Sequence, residues 1–76
     1  MNDKRRSVLK RALDLLRQAS ELVSSVKEDE EDALYNMPDN LQLSERYEKM
    51  EDAISALEDT EESIESAIEK IETASE

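Results

Sequence analysis

The chain has 76 residues, of which 21 are acidic and 10 are basic, so its formal net charge at pH 7 is −11. It contains no His, Cys or Gly, which excludes zinc sites, thiol nucleophiles, His-based acid–base catalysis, disulfides and glycine-rich phosphate loops. The longest uncharged run has six residues, 33–38, too few to cross a bilayer. The composition predicts one small cytoplasmic domain, residues 1–76, without enzymatic activity, cofactor or metal.

The first predicted element is a helix from about residue 3 to about residue 35. Two adjacent rows of apolar residues run along it with alternating spacings of three and four, typical of a helix that buries a broad face. The pattern stays in phase through the acidic run 28–32, although five consecutive acids could also end the helix near Lys27. The first row is Val8, Ala12, Leu15, Ala19, Leu22 and Val26, and the second row is Leu9, Leu13, Leu16 and Val23.

The connection after this helix spans about residues 36–43. Pro38 is expected to end the helix, because the residue before a proline disfavours the α conformation. One interpretation of the connection is turn chemistry, with Asn36 or Asn40 in the left-handed conformation in place of glycine. The other is a binding tip, because tyrosine and arginine are common at interface hot spots. The candidate partner-binding residues here are Tyr35, Asn36, Pro38, Asn40, Gln42, Arg46 and Tyr47.

The second predicted helix runs from about residue 44 to about residue 74, with Ser44 as its N-cap. It carries four heptads, from Arg46 to Thr73, whose core positions alternate in spacing as in a coiled-coil seam. Glu61 is the one acidic residue at these positions, where a polar side chain could fix the register. Across both helices, the predicted core or oligomer seam is Leu15, Leu22, Val26, Met50, Ile54, Leu57, Ile64, Ile68 and Ile71.

The placement of charge predicts that the two helices pair in antiparallel orientation. Residues 1–27 carry seven basic and three acidic groups, whereas residues 28–76 carry three basic and eighteen acidic groups. An antiparallel hairpin brings the basic N-terminal turn to the acidic C-terminal turn, so the unfavourable helix-dipole interactions of both offset each other. We therefore expect an all-α, antiparallel two-helix hairpin. Because one hairpin leaves apolar surface exposed, it is expected to form a dimeric four-helix bundle, or to complete its core on another protein.

The outward face of the second helix carries many carboxylates and few cations, among them Glu58, Glu62 and Glu65. One interpretation is a solvated face that keeps a coiled coil soluble. The other is that regularly spaced carboxylates imitate a nucleic-acid backbone and bind a basic surface of a partner protein. Direct binding of the chain to nucleic acid or to a membrane is not expected, because its net negative charge repels phosphates.

A resemblance to a family is carried by the run Tyr35–Gln42, by Ser44–Met50 after it, and by the acidic heptads that follow. This box resembles one in small, acidic, largely uncharacterised helical-hairpin proteins of Gram-positive bacteria, their phages and mobile elements. The resemblance implies a phage or mobile-element setting, and small acidic phage proteins often inhibit host machinery. The predicted function is a non-enzymatic protein-binding module that inhibits a bacterial nucleic-acid-binding or defence protein. The alternative is a structural, self-assembling bundle.

Overall fold

The computed structural model describes residues 1–42 and 44–76, which form two long α-helices and a short connection. Helix α1 spans Asp3–Tyr35, a short 3₁₀ turn spans Asp39–Leu41, and helix α2 spans Glu45–Ala74. The helices pack side by side in an extended hairpin of 59 × 14 × 13 Å. The predicted all-helical hairpin is therefore confirmed, and α1 continues unbroken through the acidic run 28–32.

Side-chain caps begin both helices. The Asn2 side chain accepts a hydrogen bond of 2.8 Å from the backbone N–H of Arg5 at the start of α1. The Ser44 hydroxyl accepts one of 3.2 Å from the backbone N–H of Tyr47 at the start of α2, as its position in the sequence predicts. Each cap satisfies one of the backbone N–H groups that a helix N-terminus leaves without an intrahelical partner.

Replacing Ser44 with alanine is expected to lower the free energy of unfolding by about 1 kcal/mol, because the change removes the N-cap of α2. Ser44→Thr is the matched control, since it keeps a hydroxyl at the same place and is expected to retain most of the stability. Denaturant titration followed by far-ultraviolet circular dichroism measures the difference. Equal losses in the two variants would show that the hydroxyl contributes nothing to α2.

The end of α1 differs from the prediction. Asn36 has φ −87° and ψ 1°, and both its backbone N–H and its side-chain amide donate to the carbonyl oxygen of Asp32. The prediction of a left-handed asparagine in the connection is wrong, since no residue in the described ranges has a positive φ. A local side-chain hydrogen bond ends the helix instead. The predicted connection, 36–43, extends to Leu43, which lies outside the described residues.

The core is a thin seam between α1 and α2. In α1 it is formed by the second apolar row, in which Leu13 is 8% exposed and Leu9, Leu16 and Val23 are half-buried. Leu13 is the one buried side chain in the part of the chain that the structure describes, and it keeps 8% of its surface exposed. The α2 side of the seam is formed by the half-buried heptad positions Tyr47, Met50, Ile54, Leu57, Glu61, Ile64, Ile68 and Ile71.

The first apolar row of α1 lies outside this seam. Leu15, Leu22 and Val26 are 63%, 70% and 55% exposed. These three residues therefore do not form the contact between the two helices of one chain, and their assignment to an oligomer seam stays a prediction. The reason is geometric, because the two rows occupy different angles around α1 and a single partner helix covers only one of them.

Candidate functional site

One polar cluster interrupts the apolar seam near its middle. The Oε1 atom of Glu61 lies 2.7 Å from Nζ of Lys27, and its Oε2 atom accepts a hydrogen bond of 2.6 Å from Oγ of Ser24. The hydrogen bonds from Lys27 and Ser24 lower the pKa of Glu61, and the bond to Glu61 raises the pKa of Lys27. A shift of one helical turn, about 5.4 Å, would separate the pair, so the cluster fixes the register of the two helices.

The sequence interpretation found Glu61 but missed both of its partners. Lys27 and Ser24 lie in neither apolar row of α1, so the heptad pattern gave no reason to select them. A signal was present, because Lys27 is the one basic residue between Arg17 and Arg46. A lone cation in one helix and a lone acid in the facing seam are a natural pair.

A second cluster joins the two chain ends. The Arg6 guanidinium donates to the carbonyl oxygen of Ser75 at 3.0 Å and to that of Glu76 at 3.3 Å. It thereby meets the carbonyl end of α2, where the helix dipole favours a cation. Further along the hairpin, a terminal nitrogen of Arg17 lies 4.0 Å from a carboxylate oxygen of Glu72. These contacts fit the antiparallel pairing that the charge distribution predicts.

At the opposite end of the hairpin, three of the candidate binding residues lie close together. Tyr35, Gln42 and Tyr47 line a shallow depression together with Glu31, Leu34 and Ile54. Tyr35 is 88% exposed, whereas Tyr47 is half-buried because it also occupies the first core position of α2. The lining of the depression combines two aliphatic and two aromatic side chains with a glutamate and a glutamine, and aromatic residues are common at protein-binding sites.

Some of the other candidate residues at this end stabilise the turn, and others are exposed and free to bind a partner. Asn36 ends α1, and the Gln42 amide donates to a carboxylate oxygen of Asp39 at 3.1 Å, so both serve the turn. Pro38, Asn40 and Arg46 are exposed. The turn chemistry is present, and a binding role for the exposed residues stays a prediction.

Carboxylates line one exposed side of α2, here called the acidic ridge. Its seven members are exposed, and most neighbours along it are three or four residues apart, about one helical turn. Among the described residues, the one cation within ion-pair distance of the ridge is Arg17, beside Glu72. The ridge, which includes the predicted Glu58, Glu62 and Glu65, consists of Glu48, Glu51, Glu58, Glu62, Glu65, Glu69 and Glu72.

The first apolar row of α1, here called the apolar stripe, consists of Val8, Ala12, Leu15, Ala19, Leu22 and Val26. Its two alanines are half-buried, and its leucines and valines are exposed. Its position relative to the acidic ridge follows from Arg17, which contacts Glu72 of the ridge. Residues two apart on an α-helix point about 200° apart, so Leu15 and Arg17 lie on opposite sides of α1. The apolar stripe and the acidic ridge therefore occupy opposite sides of the hairpin.

Within the described ranges, no group of His, Cys, Asp or Glu side chains is arranged to hold a metal ion. Neither α1 nor α2 contains a segment that is both long and apolar enough to cross a bilayer. No protein-family model matches the chain, and no significant match was found among curated proteins or among solved structures.

Proposed function

We propose that the chain is a non-catalytic protein-binding module that works as a dimeric four-helix bundle. Its acidic ridge occupies the basic, nucleic-acid-binding surface of a bacterial protein and so inhibits that protein. The observation that supports this proposal is the exposed ridge of seven carboxylates, of which, in the described structure, Glu72 alone lies within ion-pair distance of a cation. The resemblance of residues 35–50 adds a phage or mobile-element setting to the proposal.

The dimensions of the ridge suit mimicry of a nucleic acid. From Glu48 to Glu72 it extends about 36 Å along the helix axis, or roughly one charge every 6 Å. One strand of duplex DNA carries a charge every ~3.4 Å of its axis, so the ridge has a little over half of that linear charge density. Because α2 is a continuous helix, the carboxylates are held in place before binding, and their combined field accelerates encounter with a basic partner.

The exposed residues of the connection supply shape recognition at one end of the ridge. Tyr35 and Arg46 are exposed there, and both are residue types that contribute strongly to protein interfaces. Tyr35 follows Arg17 by 18 residues, or five helical turns, and so lies on the ridge side of the hairpin, where a partner can contact it and the ridge at once. Arg46 lies two residues before Glu48, on the opposite side of α2, and is outside that contact. In this arrangement the ridge provides the electrostatic attraction, and the connection provides specificity.

Reversal of the ridge tests the proposal. The triple variant Glu58→Lys, Glu62→Lys and Glu65→Lys is expected to bind its partner at least ~100-fold more weakly, because like charges then face each other. The matched control, Glu21→Lys, Glu28→Lys and Asp52→Lys, changes the net charge equally at exposed positions outside the ridge. It is expected to keep most of the affinity, apart from a slower association rate.

The measurement is capture from a bacterial lysate with the wild-type chain and both triple variants, at low and high salt, followed by mass spectrometry. A nucleic-acid-binding protein retained by wild type and control, and lost from the ridge variant and at high salt, would support the proposal. The captured protein should also release its own nucleic acid when the chain is added. Equal retention by the two triple variants would contradict the ridge as the binding surface.

The second candidate function is a structural, self-assembling bundle with no inhibitory role. The observation in its favour is the apolar stripe, whose residues Leu15 and Leu22 are 63% and 70% exposed. Contacts through such a stripe persist at high salt, whereas electrostatic docking does not. Capture of nothing but the chain itself, at both salt concentrations, would favour this function. The ridge would then serve only to keep the protein soluble.

A further inference from the structure

The hairpin exposes more surface than a compact protein of its mass. Its accessible surface is 5979 Å², whereas a compact monomer of 8.7 kDa exposes about 4,700 Å². The excess is on the order of 1,200 Å², and a standard protein interface covers about 800 Å² of each partner. One partner laid along one side of the hairpin would therefore bring its exposed surface close to that of a compact protein.

The apolar stripe is complementary to itself when one copy is reversed. Its six residues follow one another at spacings of four, three, four, three and four, which read the same in both directions. In an antiparallel pair of α1 helices, each leucine of one copy then lies opposite an alanine of the other. Large residues opposite small ones allow two helices to interdigitate at close approach. The opposed pairs are Leu15 with Ala19, Leu22 with Ala12, and Val8 with Val26.

The charges at the two ends of the stripe fit the same reversal. Arg5 precedes Val8 by three residues, and Asp29 follows Val26 by three residues, so the reversal places them opposite each other. Both are exposed, and neither takes part in an ion pair within the described ranges. In a parallel pair, Arg5 would instead face Arg5, which is unfavourable. An isologous interface needs this kind of self-complementarity.

We infer that α1 is the dimer interface, and that two copies of the chain pack through their apolar stripes in antiparallel orientation. Arg5 of each copy faces Asp29 of the other, and the symmetry axis passes near residues 17 and 18. The inference rests on the dimeric bundle proposed above and gives it an interface, an orientation and a register. Because the acidic ridge lies on the opposite side of the hairpin, the dimer presents two outward ridges and takes two basic partners.

The absence of cysteine from the chain makes disulfide trapping a clean test. Gln18 is exposed beside the middle of the stripe, and Arg11 and Ser25 are exposed seven residues to either side on the same side of α1. In the inferred dimer, two Gln18→Cys copies bring their thiols together. Arg11→Cys meets Ser25→Cys of the other copy, whereas each lies about 20 Å from its own counterpart, too far for a disulfide.

Under mild oxidation, Gln18→Cys is expected to link most chains into covalent dimers. The mixture of Arg11→Cys and Ser25→Cys should link to a similar extent, and either alone should link at least ~10-fold less. Efficient self-linking of Arg11→Cys and of Ser25→Cys would overturn the antiparallel orientation. The control is Ser66→Cys, exposed on α2. If Gln18→Cys links no better than this control, the stripe is not the interface.

Sedimentation equilibrium separates failure of the inference from failure of the proposed function. The wild type is expected to sediment as a dimer, and the double variant Leu15→Glu and Leu22→Glu as a helical monomer. A wild-type dimer that survives both substitutions would overturn the α1 interface but leave a dimeric bundle. A wild-type monomer would overturn the dimer, whereas docking through the acidic ridge is tested separately by the charge-reversal variants.

Discussion

Replacing Leu13 with alanine is expected to lower the free energy of unfolding by about 2–3 kcal/mol, because the change opens a cavity in the seam between α1 and α2. Leu13 is 8% exposed and is the most deeply buried of the described side chains. A chain of this length has a total stability of only ~4–11 kcal/mol. The single substitution therefore removes a large part of it.

Leu15→Ala is the matched control for this prediction. The chemical change is identical and lies two residues away in the same helix, but Leu15 is 63% exposed in the single hairpin. At concentrations where the chain is monomeric, its loss is expected to stay within about 0.5 kcal/mol. Denaturant titration at several protein concentrations makes the comparison. The Leu15→Ala deficit should grow as dimers form, whereas equal deficits at the lowest concentration would contradict the assignment of the seam.

The second large effect is expected from Lys27→Glu, which places a carboxylate against Glu61 in the seam. The variant loses the 2.7 Å contact and gains a like-charge contact in its place. At pH 7 its midpoint of thermal unfolding is expected to fall by roughly 5–10 °C, a typical shift for one disrupted contact in a chain of this size. The swapped double variant, Lys27→Glu with Glu61→Lys, restores opposite charges and should recover most of the loss.

The stability of the wild type and that of Lys27→Glu should also change with pH in opposite directions. In the wild type the pKa of Glu61 is lowered from its ordinary value of 4.5, so the pair stabilises the fold above that pH and loses its contribution as pH falls through the lowered value. At the basic end, the contribution is lost as pH rises through the raised pKa of Lys27, above 10.5. In Lys27→Glu, the facing carboxylates raise each other's pKa, so acidification restores stability. Thermal unfolding of the wild type and of Lys27→Glu, from pH 7 to about pH 2, separates these responses. A parallel decline of both would show that the pair has no part in stability.

The helices and their antiparallel pairing could be predicted from the sequence, because each depends on signals local to a few heptads. The three–four spacing defined both helices, Ser44 marked the start of α2, and the opposite charges of the two chain ends indicated their pairing. In α2 the large apolar residues lie in one row at the heptad positions, and that row is half-buried. The dimer and the partner stay predictions.

The seam of α1 could not be predicted, because two apolar rows of similar strength compete for one facing helix. Leu13 and Leu15 are the same residue type, and the choice between them depends on how α2 sits, which no local pattern encodes. The Lys27–Glu61 pair was missed for a related reason, since it needs the register between helices. Because the chain lacks glycine, an asparagine was expected to adopt the left-handed conformation in the connection. Instead, α1 ends with a hydrogen bond from the Asn36 side-chain amide to the carbonyl oxygen of Asp32.

The slender shape of the hairpin, 59 Å long and 14 Å wide, determines how the molecule moves through solution. Its radius of gyration of 17.3 Å is that of a compact protein of roughly 230 residues, about three times the actual chain length. A single hairpin will therefore elute from a gel-filtration column ahead of a globular protein of the same mass. It will also tumble anisotropically, so amide groups along the two helix axes will relax at a different rate from those in the connection.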